Sequence, residues 1–450
     1  MSRRLTAPSP PAPNPRRRPW PEPLPQLQFV LRWLLLGGVV SALAGTASAG
    51  FLVALDWTTR TREAQPWLLG LLPVGGLLVG LLYHYFGQSV ARGNNQLIEE
   101  IHQPRDVVPL RMAPLVLLGT LLTHLVGGSA GREGTAVQMG GALADQLSRW
   151  LPRGLRLHRP RERRLLLIAG ISAGFASVFG TPLAGAVFGL EVFRVGRLRY
   201  EALLPSLLAA FGADWVTRAW GVGHTHYLVL EVPALSAAGV AATLLLGLLS
   251  GLTARGFVAA VHAWQSWFGR LIAWPPLRPV AGGAGLLALV GLLYLVIGPE
   301  VTRYLGLGVP TIVAAFEAPL PWYSFGLKLL LTSLTLGAGF KGGEVTPLFF
   351  VGAALGSALA LVLPLPVALL AGVGFVAVFS GAANTPLACT LMGLELFGLP
   401  AAPYLALGCV VAYLTSGHGG IYGAQVVGTA KHPRLGRDAG RRLSQLRGRR

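Results

Sequence analysis

Thr181-Pro182-Leu183-Ala184, followed by Gly189-Leu190-Glu191, is written twice in this chain. The first block returns as Thr385-Pro386-Leu387-Ala388 and the second as Gly393-Leu394-Glu395, with Phe193 matched by Phe397, all 204 residues on. Upstream, Gly131, Glu133, Thr135, Gly141 and Ala142 meet Gly342, Glu344, Thr346, Gly352 and Ala353 at an offset of 211. Single apolar matches arise by chance. Two ordered blocks at nearly one offset point to an internal duplication.

The sequence around these blocks is apolar. Of 450 residues, 53% are hydrophobic and 12% charged, 60 are glycine, and the mean hydropathy is +0.58. Such a composition excludes disorder and argues against a soluble domain. A net charge of +19 would suggest nucleic-acid binding in a soluble chain. Here 24 of the 37 basic residues fall in four clusters, and none is interleaved with aromatics. The clusters are an N-terminal tail (Arg3 to Arg32), a loop from Arg149 to Arg164, a loop from Arg194 to Arg199, and a C-terminal tail from Lys431 to Arg450. Clustered arginine in short loops beside apolar runs is the positive-inside pattern of a polytopic membrane protein, so these clusters are placed in the cytoplasm. No nucleic-acid partner is expected. Cys389 and Cys409 both sit in apolar sequence and read as small buried hydrophobes. The Arg/Pro-rich N-terminus lacks the apolar core of a secretory signal and reads as a cytoplasmic tail.

Four runs have the length to span a bilayer: Phe29–Leu55, Trp67–Phe86, Pro233–His262 and Pro279–Gly298. Others, such as Leu165–Phe193 and Val367–Phe397, are interrupted by Gly, Pro or a lone carboxylate. Broken helices at membrane depth survive only where protein or a polar cavity receives their freed backbone, as in transporters and channels. Pro182 divides the first copy into pieces of about 16 and 12 residues, roughly 24 and 18 Å, each short of the ~30 Å hydrocarbon core. Arg clusters flank that copy on both sides, so it leaves from and returns to the cytoplasm. No Lys or Arg occurs between Lys341 and Lys431, so the flanks of the second copy face outward. The halves, about 29–220 and 233–428, are therefore expected to be inverted, with the substrate site near the midplane.

Candidate site residues lie where glycine loops open helices. Gly127 to Thr135 leads into a helical run, Ala136–Trp150. Glycines let backbone N–H groups approach a ligand, and a helix N-terminus favours negative charge. Glu133 stands where an anion would sit. Its carboxylate can fill the site when ionised and leave when protonated or displaced, which would couple anions to protons; alternatively it is a capping acid or pairs with Arg132. The equivalent stretch, Lys341 to Pro347, precedes Leu348–Leu363, with Thr346 as either an N-cap or an anion donor. Asn94 in Gly93-Asn94-Asn95 opens another helix, and Tyr422 follows a late Gly-Gly pair.

Those motifs resemble the CLC family of anion channels and proton-coupled antiporters over residues 30 to 428. Gly131-Arg132-Glu133-Gly134-Thr135 is similar to the family's Gly-Lys/Arg-Glu-Gly-Pro, which implies a gating role for Glu133. Gly343 to Pro347 is similar to Gly-x-Phe-x-Pro, and the block around Pro182 to Pro-Leu-Ala-Gly. The resemblance implies an all-α polytopic fold of two inverted halves with broken and re-entrant helices, assembled as a homodimer with one pathway per subunit. Tails are expected at 1–28 and 429–450.

The departures narrow the expectation. Chloride-handling members place Ser at the central position, where this chain has Asn94; the motif Phe is Val345; and the second of the paired acids is Val192. The set resembles the fluoride-exporting branch, with Tyr422 matching its late tyrosine. Fluoride is small and strongly hydrated, so a selective site needs several strong donors, and an amide offers two where Ser offers one. The expected function is fluoride export driven by inward protons in the inner membrane. Glu133 would couple, Asn94, Thr346 and Tyr422 would line the path, and backbone N–H groups near Gly134 and Val345 would assist. A chloride channel or chloride/proton antiporter of the same fold is the alternative. No cofactor, metal ligand set or enzymatic motif is expected.

Overall fold

The structure, a computed structural model, describes residues 23–151 and 160–446. Most of the N-terminal tail, Arg153, Arg156 and Arg159, and Arg447 to Arg450 lie outside the described residues. The four expected spans correspond to helices Gln26–Ala64, Pro66–Tyr85, Ala237–Leu271 and Leu277–Tyr304, each long and apolar enough to cross a membrane. They carry hydrophobic side chains on the outside as well as the inside. Leu36 and Val40 are buried, while Leu31, Leu34 and Leu35 on the same helix are exposed. A helix apolar all round suits lipid on one side and protein on the other.

The duplicated block folds as two broken helical hairpins. The first is Pro160–Phe179 followed by Pro182–Glu191; the second is Val367–Ala383 followed by Pro386–Phe397. Each break has a residue with positive φ just before the Thr-Pro pair: Gly180 at +70° and Asn384 at +60°. Glycine and asparagine are the residues that tolerate this conformation, and proline then begins the next helix without needing its missing N–H. Pro160–Phe179 has 20 residues, but its first turn carries Arg161, Glu162, Arg163 and Arg164, so the apolar remainder from Leu165 to Phe179 is shorter than the hydrocarbon core, as expected of a piece that ends before Pro182. The helix begins inside the basic loop because that loop's charges are paired there. Arg161 meets Glu201 at 3.0 Å, Glu162 meets Arg32 at 2.8 Å, and Arg163 meets Asp145 at 2.7 Å and Glu100 at 3.1 Å. Pro182–Glu191, at 10 residues, is shorter still.

The two copies lock together through the glutamates that end the repeat. Glu395 accepts from the backbone N–H groups of Leu183 and Ala184, each at 2.8 Å. Glu191 accepts from those of Leu387 at 3.2 Å and Ala388 at 2.9 Å. Each carboxylate thus satisfies orphan donors at the N-terminus of the other copy's short helix, with the charge placed favourably on the dipole. Stacked phenylalanines continue the contact: Phe175 and Phe188 of the first copy lie on Phe379 of the second, at 6.2 and 6.1 Å.

The basic loops share one face with the C-terminal segment. Among the described residues the single sheet is a parallel pairing of Arg194–Val195 with Val426–Val427. Leu443 and Ser444 donate back to the carbonyls of Gln425 and Gly423, both at 2.9 Å, and Leu443 and Leu446 pack on Val195 and Val427. As far as Leu446, the segment expected to be a tail lies docked on the helical core.

Candidate functional site

The two glycine loops of the repeat meet as partners. Gly131 and Gly343 exchange both backbone hydrogen bonds at 2.7 Å, joining one half to the other. From this bridge two helices start, Glu133–Trp150 and Val345–Leu359. Both begin earlier than the apolar pattern suggested, because their first turns are polar and lie inside the loops. A Cβ on Gly131 would stand 2.7 Å from a Glu133 carboxylate oxygen, and one on Gly343 would stand 2.6 Å from the same atom. Glycine at both positions is what admits that carboxylate.

Glu133 is buried, and its Oε2 accepts from two backbone N–H groups. One is that of Arg132 at 3.2 Å, at the start of its own helix; the other is that of Thr346 at 3.1 Å, in the first turn of the opposite helix. Its Oε1 has no partner. The carboxylate oxygen therefore bridges the starts of both helices, with one N–H from each, and its hydrogen bond with Arg132 is from the backbone N–H.

The other expected residues gather round this point unequally. Gly134 lies against Asn94, whose Nδ2 would be 3.2 Å from a Cβ placed there. Val345 is buried in the first turn beside Thr346. Thr346 is not the N-cap, because the helix starts one residue before it. Its hydroxyl is buried without a partner, as is the Asn94 Oδ1. Asn94 and Tyr422 line one cavity of about 340 Å³, together with Lys341 and Glu344. Thr346 lines a different one, of about 20 Å³, beside Arg132, Tyr227 and Phe349. Asn94 and Tyr422 thus share one cavity and Thr346 lines another.

Several residues of the site were not anticipated. Arg132 lines both the small cavity and a larger one of about 640 Å³ that also holds Arg60, Arg62 and Arg303. Lys341 places its ammonium 4.1 Å from the Tyr83 ring centre, and Arg92 and Arg278 join it around the Asn94 cavity. Cations therefore outnumber carboxylates in both linings, with Asp56 and Glu63 in the one and Glu344 in the other. Gln425, fully buried, donates to the carbonyls of Val192 at 2.6 Å and Ala383 at 2.7 Å and accepts from Asn384 at 3.0 Å. Asn95 accepts from the backbone of Ala424 at 2.9 Å. These contacts pin the loop carrying Tyr422 to both copies of the repeat. Val192 contributes a carbonyl and a buried side chain, with no acid in its place.

Comparison with known proteins bears on this arrangement. Residues 75–417 match the family described as voltage gated chloride channel. A chloride/fluoride channel protein of Pseudomonas syringae pv. tomato is 54% identical over 415 residues, covering 92% of this chain and 90% of that one. A putative chloride channel protein, ClcB-like, of Ralstonia nicotianae is 30% identical over 79% of this chain and 82% of its own. The crystal structure of a CLC-type fluoride/proton antiporter superposes with a TM-score of 0.82 at 35% identity, over 89% of this chain and 98% of that chain. A slow cyanobacterial Cl-/H+ antiporter, at 23% identity and a TM-score of 0.72, shares the fold. With an inverted repeat, helix starts converging on a buried carboxylate and these matches in hand, the chain belongs to the CLC family of voltage-gated chloride channels and is a polytopic membrane protein.

Proposed function

We propose that this chain is a fluoride/proton antiporter that expels fluoride from the cytoplasm on the inward proton gradient. The observation that carries the reading is the Glu133 carboxylate on the backbone N–H of Thr346, one oxygen bonded and the other unpartnered. A carboxylate held this way is exchangeable. An incoming anion takes the helix N-terminus, and the displaced carboxylate, drawn off its donors, takes up a proton. Loss of that proton to the cytoplasm lets the carboxylate return to its donors and release the anion outside. Asn94 and Tyr422 serve fluoride on one approach and the Thr346 hydroxyl on the other, with the N–H groups of Gly134 and Val345 at the helix starts. Amide and hydroxyl donors compensate the loss of water from a small, strongly hydrated ion better than an aromatic side chain at Val345 would.

The same reading places the basic loops and both termini in the cytoplasm, the chain in the inner membrane, and two copies in a homodimer with one pathway each. Support comes from the positive-inside pattern and from the fluoride/proton antiporter that the chain resembles at 35% identity. A chloride channel or chloride/proton antiporter is kept as a second reading because relatives carry chloride in their names. Purified protein in liposomes loaded with fluoride or chloride, with an internal pH probe, separates them. The proposal expects fluoride efflux well above chloride efflux, with protons moving in the opposite direction. Chloride efflux equal to fluoride efflux, or fluoride leaving without protons, overturns it.

A further inference from the structure

The cavity of about 340 Å³ that Asn94 and Tyr422 share takes two of its walls from distant parts of the chain. One is the first turn of the helix Asn94–His102, which brings Asn94 and Asn95 to the lining. The other is the turn from Tyr422 to Gln425, closed by the Gln425 N–H on the Tyr422 carbonyl at 3.1 Å. Oδ1 of Asn95 reaches across and accepts from the backbone N–H of Ala424 at 2.9 Å. Asn95 is the neighbour of Asn94, and Ala424 lies two residues after Tyr422. The bond thus ties together the carriers of the two side chains that the proposed function gives to fluoride, and the inference rests on that reading.

The Tyr422 turn is anchored to the repeat and to the C-terminal segment. Ile421 donates to the Ala382 carbonyl at 2.9 Å, Gln425 holds the carbonyls of Val192 and Ala383, and Ser444 donates to the Gly423 carbonyl at 2.9 Å. The helix Asn94–His102 has anchors of its own at Glu99, paired with Arg442 at 3.2 Å, and at His102, whose Nε2 donates to the Phe193 carbonyl at 2.8 Å. Those points lie about 8 and 12 Å along the helix from Asn94. Asn95 is the tie at the end where Asn94 stands. We propose that Asn95 is a positioning residue for anion selectivity, its Oδ1 holding Asn94 and Tyr422 at the spacing that fits fluoride. Fluoride is the smaller ion, so a gap that widens loses its contacts first, while chloride still spans it.

The test is efflux of fluoride and of chloride from liposomes, both measured on one preparation of full-length protein, so that their ratio does not depend on the folded fraction. Asn95→Leu removes the acceptor at similar size and should lower the fluoride-to-chloride ratio about fivefold, the worth of one hydrogen bond. Asn95→Ala removes the same acceptor and carries the test if the leucine variant fails to fold. Asn95→Asp keeps the acceptor. Its charge repels both monovalent anions alike, so both should slow while the ratio stays near the wild-type value. In a Tyr422→Phe background, Asn95→Leu should change the ratio no further, because the spacing to the hydroxyl no longer matters; a role in stability alone would leave the two effects independent. A wild-type protein with no preference for fluoride overturns the proposed function and this inference with it. A wild-type preference that survives both Asn95→Leu and Asn95→Ala overturns the inference alone, as does a ratio lost equally in Asn95→Asp or a full further loss in the Tyr422→Phe background.

Discussion

The repeat supplies two pairs of matched glutamates, and the two pairs are used differently. Glu191 and Glu395 do the same thing: each spans two N–H groups at the start of the other copy's short helix. Glu133 and Glu344 do not. Glu133 is buried and bonded across the interface to Thr346, whereas Glu344 is partly exposed and lines the cavity with Asn94 and Tyr422. A symmetric pair is what structure requires, since both halves need the same caps. An asymmetric pair lets the two sides of one site differ.

The largest effect should come from breaking the asymmetric pair. Glu133→Gln keeps the shape of the side chain and can still accept from Thr346, but it cannot gain or lose a proton. Proton uptake driven by a fluoride gradient in liposomes should fall to background. Uptake at the wild-type rate would remove Glu133 from the coupling. The symmetric pair should respond in stability. Glu395→Gln and Glu191→Gln each weaken two charge-assisted bonds to a helix start, at about 1–3 kcal/mol per substitution. Thermal unfolding in detergent should show two similar losses, somewhat larger for Glu191, the more buried of the two. A neutral result at one position beside a severe one at the other would mean that the capping is not reciprocal in effect.

What was legible in the sequence follows from the range of the interactions. The four spans could be read because a bilayer demands length and apolarity within one segment. The inversion could be read because charge flanks one copy and is missing from the other. Glu133 could be read because glycine loops before helices are local. Gln425 could not: besides Asn384, its partners are the backbone of Val192 and Ala383, and Val192 lies 233 residues away. Asn95 bonds the backbone of Ala424 from 329 residues away. Backbone partners leave no complementary residue type to look for. The reciprocal caps were hidden differently. Glu191 invites reading as half of an acid pair whose second member became Val192, and only the fold shows that its work is on Leu387 and Ala388. That Thr346 lines a different cavity from Asn94 was equally hidden, because it depends on how distant segments pack.

Two smaller effects sharpen the comparison on the side of the site that Asn94 occupies. Asn94→Ser leaves one donor where the amide has two, and the Gly134 backbone beside it remains open. Losing about one hydrogen bond to the ion should lower fluoride over chloride selectivity by a factor of about ten, near 1.4 kcal/mol. An unaltered ratio of efflux rates would take selectivity away from Asn94 and leave it to Thr346 and Tyr422. Val192 should matter least. Its carbonyl, which Gln425 needs, survives in Val192→Ala, and the side chain removed is small, so the loss in stability is about 1 kcal/mol. No acid stands at that position to carry protons, so the ratio of protons to fluoride should stay at the wild-type value. A changed ratio would mean that the proton route runs beside the end of the Pro182–Glu191 helix, and the symmetric pair, through Glu191, would then have a share in coupling that its capping geometry does not suggest.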